Sequence, residues 1–122
     1  MKAKIETMNR YFDGQIAACA ARAQALLADD RADESNFEKI RANVYDIFRT
    51  VLSVAITTGK SDAEAARRFF LQRAEAVPAS WRASLEKANR HGDAAKAQIE
   101  LIKLDTLAKI KDKFSEVWGD AQ

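Results

Sequence analysis

The placement of helix-breaking residues constrains this chain more than any other feature of its sequence. Its 122 residues include only four Gly and one Pro. Gly59, Gly92 and Gly119 each follow a long stretch in which apolar residues recur every three or four positions, and Pro78 divides the third stretch. Gly and Pro are the poorest helix formers, whereas spacing of three and four places side chains on one face of a helix. The pattern therefore predicts helices separated by short connections.

The helix-breaking and polar connecting residues divide the chain into four helical arms, at about residues 2–28, 35–59, 61–92 and 93–119. Pro lacks an amide hydrogen and clashes with the preceding turn, so the third arm is expected to break at Pro78 into two segments. Short connections force neighbouring helices to run antiparallel. Strict apolar–polar alternation, which would indicate strands, is missing. We predict an all-α, antiparallel four-helix bundle with five helical segments, forming one domain over residues 1–122.

Several helix ends have their own signals. Residues 35–38 and 61–64 both begin with Ser and end with Glu, which is the pattern of a capping box at the start of a helix. Asp93 is placed to cap the last helix, and Gly92 to close the turn before it. Gly14 lies inside a periodic run, where it predicts a bend or a tight contact with a neighbouring helix.

The sequence contains no complete catalytic or nucleotide-binding motif. Residues 59–61 match the end of a phosphate-binding loop, but Val54 stands where that loop needs Gly, and a predicted helix precedes it instead of a strand. His91 is the only histidine, and its place between two helices is explained more simply by capping than by catalysis. We therefore predict that the protein is not an enzyme and binds no cofactor.

Metal sites are also disfavoured. Cys19 is the only cysteine, so an internal disulfide is excluded, and its alanine-rich surroundings predict a small buried apolar residue. One Cys and one His are too few for a structural zinc site. The acidic run 29–34 lacks the central Gly and final Glu of a calcium loop, and the Glu-x-x-His pairs of di-iron bundles are missing. No bound metal is expected.

Surplus apolar residues are the strongest indication of a partner. In the last helix they point in more directions than one stripe can cover, and aromatic residues elsewhere raise the same question. These side chains either contact two neighbours inside the bundle or face a second chain, as an exposed patch that monomers rarely tolerate. We predict a protein–protein interaction or oligomerisation module, most simply a homodimer. The candidate partner-binding residues are Leu101, Ile102, Trp118 and Phe69.

Two other classes of function remain open. The positive excess of the chain falls in residues 35–92, and an anion- or nucleic-acid-binding module would use the Arg-rich segment 61–92. The net charge is only +2, so nucleic acid is an unlikely partner. A ligand carrier or enzyme would need a pocket lined by Trp81, Tyr45 and Phe70. The candidate anion-binding residues are Arg67, Arg68, Arg73, Arg82 and Arg90.

The same sequence predicts a compartment. It has no run of about 18 apolar residues that could span a membrane. Residues 1–4 are charged and no signal-type apolar segment follows them. We expect a cytoplasmic protein with no membrane partner.

Overall fold

The structure, a computed structural model, describes residues 1–60 and 62–119. This part of the chain contains helices and turns but no strand, which confirms the all-α prediction. The helices are α1 (Lys2–Ala28), α2 (Ala32–Gly59), α3 (Ala63–Ala76), α4 (Ala79–Arg90) and α5 (Ala94–Trp118).

Side-chain contacts fix the direction of each helix. Ser35 on α2 donates a hydrogen bond of 2.7 Å to the carbonyl of Ala23 on α1, and Arg49 further along α2 lies 2.6 Å from Asp13. These two pairings make α1 and α2 antiparallel. Phe70 stacks on Phe114 and Glu75 binds Lys111, which makes α3 and α5 antiparallel as well. The helices therefore run up, down, up and down, with α3 and α4 sharing the third arm, as the sequence predicted.

The predicted break lies at Pro78. Helix α3 ends at Ala76, and α4 begins at Ala79 with Pro78 as its N-cap residue. The Pro78 carbonyl accepts the hydrogen bond from the Arg82 amide that opens α4. At this position a missing amide hydrogen costs little, because the first amides of a helix have no partner within it.

A row of aromatic rings packs in the core between α2, α3 and α5. The rings of Phe48 and Phe70 are 6.0 Å apart edge to face, Phe70 and Phe114 stack at 4.1 Å, and Phe114 and Trp118 stack at 5.3 Å. The three Phe side chains are fully buried. This row joins α2, α3 and α5, and buried residues of all five helices belong to the same core cluster.

One predicted capping box is wrong. Helix α2 begins at Ala32, three residues before Ser35, so Ser35 lies within the first turns instead of preceding them. Its hydroxyl donates to Ala23 on α1, and Glu38 binds Arg22 on α1 at 3.1 Å and Arg41 at 2.9 Å. The Ser–Glu pattern therefore joins two helices rather than capping one. Acidic residues in the first turn favour the earlier start through the helix dipole.

The other caps agree more closely with prediction. The N-cap of α3 is Asp62, whose carboxylate accepts from the amides of Glu64 and Ala65, while Ser61 lies outside the described residues. Asp93 accepts from the Lys96 amide at 3.0 Å and caps α5, as expected. Gly92 has a φ of +65° and lets the Asp93 amide reach the carbonyl of Ala88 at 2.9 Å, which closes α4.

The glycines inside helices have opposite roles. A Cβ atom added at Gly59 would lie 3.0 Å from the backbone nitrogen of Ala66, so this glycine permits α2 and α3 to approach closely. A Cβ atom at Gly14 would meet nothing within 4 Å, which excludes the tight contact predicted there.

Gly14→Ala is expected to raise the free energy of unfolding by about 1 kcal/mol. Gly14 is exposed within α1, and Ala is the better helix former by about that amount. Urea denaturation followed by circular dichroism measures the change. The matched variant Gly59→Ala should lower the same free energy, and a destabilised Gly14→Ala protein would contradict the described position of Gly14.

Candidate interaction surface

The four predicted partner-binding residues do not form one exposed surface. Leu101 is 54% exposed, whereas Ile102 and Trp118 are each only 6% exposed. Trp118 stacks on Phe114, and Phe69 is half-buried against the core. Ile102 and Trp118 are thus packed within their own chain, which is one of the two alternatives that the sequence left open.

The five candidate anion-binding arginines are dispersed. Arg67 is buried, with its guanidinium 3.7 Å from Glu64. Successive helical residues are about 100° apart, so Arg67, Arg68 and Arg73 point in three directions around α3. Arg82 and Arg90 are exposed on α4. Arg67, Arg68 and Arg73 therefore do not share one face of α3.

The three candidate ligand-binding residues do not line one common pocket. Phe70 and Tyr45 are buried in the core, and the Tyr45 ring packs edge to face on Tyr11 at 5.9 Å. Trp81 is the member of this group that lines a surface groove, between α2 and α5. The three side chains therefore contribute mainly to the packing of the core.

A wide groove runs along the outer side of α1 and α2. It has a volume of about 640 Å³ and opens to the surface. Its floor is made of small residues, Ala20 and Ala23 of α1 and Ala42 of α2, and Leu27 lies at its upper end. We call it the α1–α2 groove. Because alanine side chains are short, another helix can approach its backbone closely.

Leu27 strengthens the interpretation of this groove as a contact surface. It is 54% exposed, although burying a leucine side chain is worth about 1.5–3 kcal/mol. Ile16, at the other end of the groove, is half-buried. Apolar side chains thus mark both ends of a trough of alanines. The alanine-rich sequence, which allows close approach of a neighbouring helix, was the signal that could have located it.

The α2 rim of the groove carries charges. Lys39 and Asp46 both line it, with Asn43 between them. Asp46 accepts a 2.6 Å hydrogen bond from Arg49, which also binds Asp13 on α1. Lys39 makes no ion pair within residues 1–60 and 62–119. The rim therefore presents the Lys39 ammonium group about two helical turns from Asp46, whose carboxylate is shared with Arg49, another residue of the lining.

Cys19 contributes to the wall of the same groove, and its thiol is not suited to catalysis. It is only 1% exposed, as the sequence predicted. Burial raises the pKa of this thiol, as does the nearby Glu38 carboxylate, while Arg22 acts in the opposite direction. A raised pKa leaves the thiol protonated at neutral pH, and the thiolate is the reactive form.

We expect Cys19 to react with a thiol reagent such as dithionitrobenzoate at least about 100-fold more slowly in the folded protein than in urea, because reaction requires opening of the bundle. The absorbance of the released thiolate gives both rates. Equal rates would contradict the described burial of Cys19.

A buried carboxylate lies away from this groove. Glu100 on α5 is 1% exposed, and its Oε1 atom binds Lys96 at 3.1 Å and Lys103 at 3.3 Å. Its Oε2 atom is buried with no hydrogen-bond partner in the described part of the chain. The two ammonium groups offset much of the free-energy cost of burying this carboxylate. The sequence pattern did not predict that Glu100 is buried.

Residues 1–60 and 62–119 contain neither a metal-binding cluster nor a membrane-spanning helix. No three His, Cys, Asp or Glu side chains there come together in a way that could hold a metal ion. No helix in that part is long and apolar enough to cross a membrane. No protein-family model matches the chain, and neither curated proteins nor solved structures give a match.

Proposed function

We propose that this protein is a protein–protein interaction module that forms a homodimer through the α1–α2 groove. The observation that carries the proposal is the pairing of an open, alanine-floored apolar groove with a self-complementary charged rim. Most soluble oligomers are symmetric dimers in which the same surface of both copies is used. A surface of that kind must be complementary to itself.

The rim meets this condition. Lys39 and Asp46 are seven residues apart, or about 10.5 Å along α2. A two-fold axis placed between Ala42 and Asn43 brings Lys39 of each copy opposite Asp46 of the other. The same axis places the small Ala42 side chains where the two α2 helices come closest. The interface would then contain α1 and α2 from both copies and two reciprocal ion pairs.

The apolar part of the groove supplies the driving force. Leu27 and Ile16 would lose water on association, and apolar surface contributes about 25 cal/mol per Å² buried. The polar groups Lys39, Asn43 and Asp46 surround this surface, as in protein interfaces with an apolar centre and a polar rim. Ion pairs at such a rim fix the register of the two copies more than they add affinity.

Sedimentation equilibrium of the wild-type chain over a wide concentration range tests the proposal. Lys39→Glu places two glutamates opposite two aspartates and should weaken dimerisation about tenfold. Adding Asp46→Lys in the same chain exchanges the charges and should restore most of the affinity. Lys87→Glu makes the same change in net charge on an exposed part of α4 and is the control.

If the wild-type chain stays monomeric at every concentration, the proposed function is wrong. If it dimerises but Lys39→Glu and Lys87→Glu behave alike, the dimer uses another surface.

The proposal assigns no catalytic role and no cofactor to the chain. The cytoplasm is the compartment we propose, and a buried, unpaired thiol at Cys19 is compatible with a reducing environment. Binding of a nucleic acid or another anion is the alternative function. It gains no support from Arg67, Arg68 and Arg73, which point in different directions around α3.

A further inference from the structure

A second groove lies next to the first, between α2 and α5, and shares Lys39 and Asn43 with it. Two cavities of about 440 and 370 Å³ share Asn36, Ile40 and Ile99, so they form one continuous groove. Along α2 it extends from Asp33 to Ile47, a rise of about 21 Å. We call it the α2–α5 groove. Its length suits a helix of three to four turns.

Large apolar side chains line this groove. Phe37, Ile40 and Ile47 come from α2, Ile99 from α5 and Trp81 from α4. Phe37, Ile40, Ile47 and Ile99 are only half-buried in the single chain. A docked helix presenting apolar residues every three or four positions would cover them.

Basic side chains stand on both rims of the groove. Lys39 projects from α2 and Lys103 from α5. Lys103 is held in place, because its ammonium group lies 3.3 Å from the Oε1 atom of buried Glu100 and 5.9 Å from the centre of the Trp81 ring. The remaining polar lining is mostly neutral, apart from Asp33 at the far end.

We propose that the α2–α5 groove binds an amphipathic helix of another protein whose apolar stripe is flanked by acidic residues. Apolar side chains would fill the groove over Ile40 and Ile99, and carboxylates on either side of the stripe would meet Lys39 and Lys103. Because both rims carry a lysine, an acidic helix is favoured over a basic helix with the same apolar face. This partner differs from the second copy proposed for the α1–α2 groove. Because Lys39 lies on the rim of both grooves, the two partners would compete for it, and Lys103 is the rim cation that belongs to the α2–α5 groove alone.

The test uses two synthetic helical peptides of 18 residues with the same Leu and Ile stripe, one flanked by Glu and the other by Lys. Each is titrated into the isotope-labelled chain and followed by amide chemical shifts. We expect the Glu peptide to bind at least tenfold more tightly, with the largest shifts around Ile40 and Ile99. Similar affinities, or shifts centred on the α1–α2 groove, would overturn the proposal.

Two variants distinguish specific binding in the α2–α5 groove from nonspecific binding of the peptide. Ile99→Glu places a charge in the groove and should weaken binding of the Glu peptide at least tenfold. Leu101→Glu makes the same kind of change at an exposed position on the other side of α5 and should leave binding unchanged. Equal losses in both variants would contradict the proposal.

Lys103→Gln preserves the bulk of the side chain and should reduce the preference for the Glu peptide, which keeps the test valid if Ile99→Glu unfolds. An unchanged preference in Lys103→Gln would count against the assigned role of this rim. The titration is repeated with the variant Ala20→Arg, in which the α1–α2 groove is blocked. If the Glu peptide still binds the Ala20→Arg variant, binding in the α2–α5 groove does not depend on the homodimer.

Discussion

Phe114→Ala is expected to lower the free energy of unfolding by about 3–5 kcal/mol. Phe114 is fully buried, and its ring stacks on Phe70 at 4.1 Å and on Trp118 at 5.3 Å. Truncation removes a large apolar side chain from the middle of the aromatic row and leaves a cavity between α3 and α5.

Urea denaturation of the two proteins measures this loss. Leu101→Ala is the matched control, since it truncates an apolar residue of the same helix at an exposed position and should change stability by no more than about 0.5 kcal/mol. A loss below about 1 kcal/mol for Phe114→Ala would show that the aromatic row does not organise the core.

Ala20→Arg is expected to raise the dissociation constant of the homodimer at least 100-fold, which corresponds to about 2.7 kcal/mol. Ala20 lies in the floor of the α1–α2 groove, where a long charged side chain would occupy the space proposed for the second copy. The residue is exposed in the single chain, so the substitution should leave the fold intact.

The neighbouring residue provides a closely matched control. Ala21 is also exposed on α1 but points about 100° away from Ala20 and is not part of the lining of the groove. Ala21→Arg should therefore dimerise like the wild-type protein. Sedimentation equilibrium compares the two variants, and thermal denaturation checks that both are folded. Equal dimerisation of both would place the interface elsewhere.

The helices themselves could be predicted closely because their signals are local. Apolar spacing, with Asp93 and Gly119 at the two ends of the last arm, places α1 and α5 within a residue or two of their described ends. The start of α2 could not be placed, because the hydroxyl of Ser35 binds Ala23 on a neighbouring helix. A Ser followed three residues later by a Glu can cap a helix or can form hydrogen bonds to a neighbouring helix, and the local sequence does not distinguish the two.

Exposure was harder to predict than helical structure. Ile102 and Trp118 are buried and Leu101 is exposed, although all three belong to the same helix. Their surroundings depend on which helices α5 contacts and at what angle, which spacing along one chain does not specify. The α1–α2 groove depends in the same way on residues far apart in sequence, Ala20 and Ala42, lying side by side.

Disulfide crosslinking tests the proposed homodimer most directly. In a chain with Cys19→Ala, the added substitution Asn43→Cys places a thiol beside the proposed two-fold axis, where the two Cα atoms should approach to within about 7 Å. We predict that mild oxidation converts this protein rapidly to a covalent dimer, while Asn89→Cys, exposed on α4, crosslinks slowly. If the thiol at position 43 crosslinks no faster than the thiol at position 89, the α1–α2 groove is not the interface.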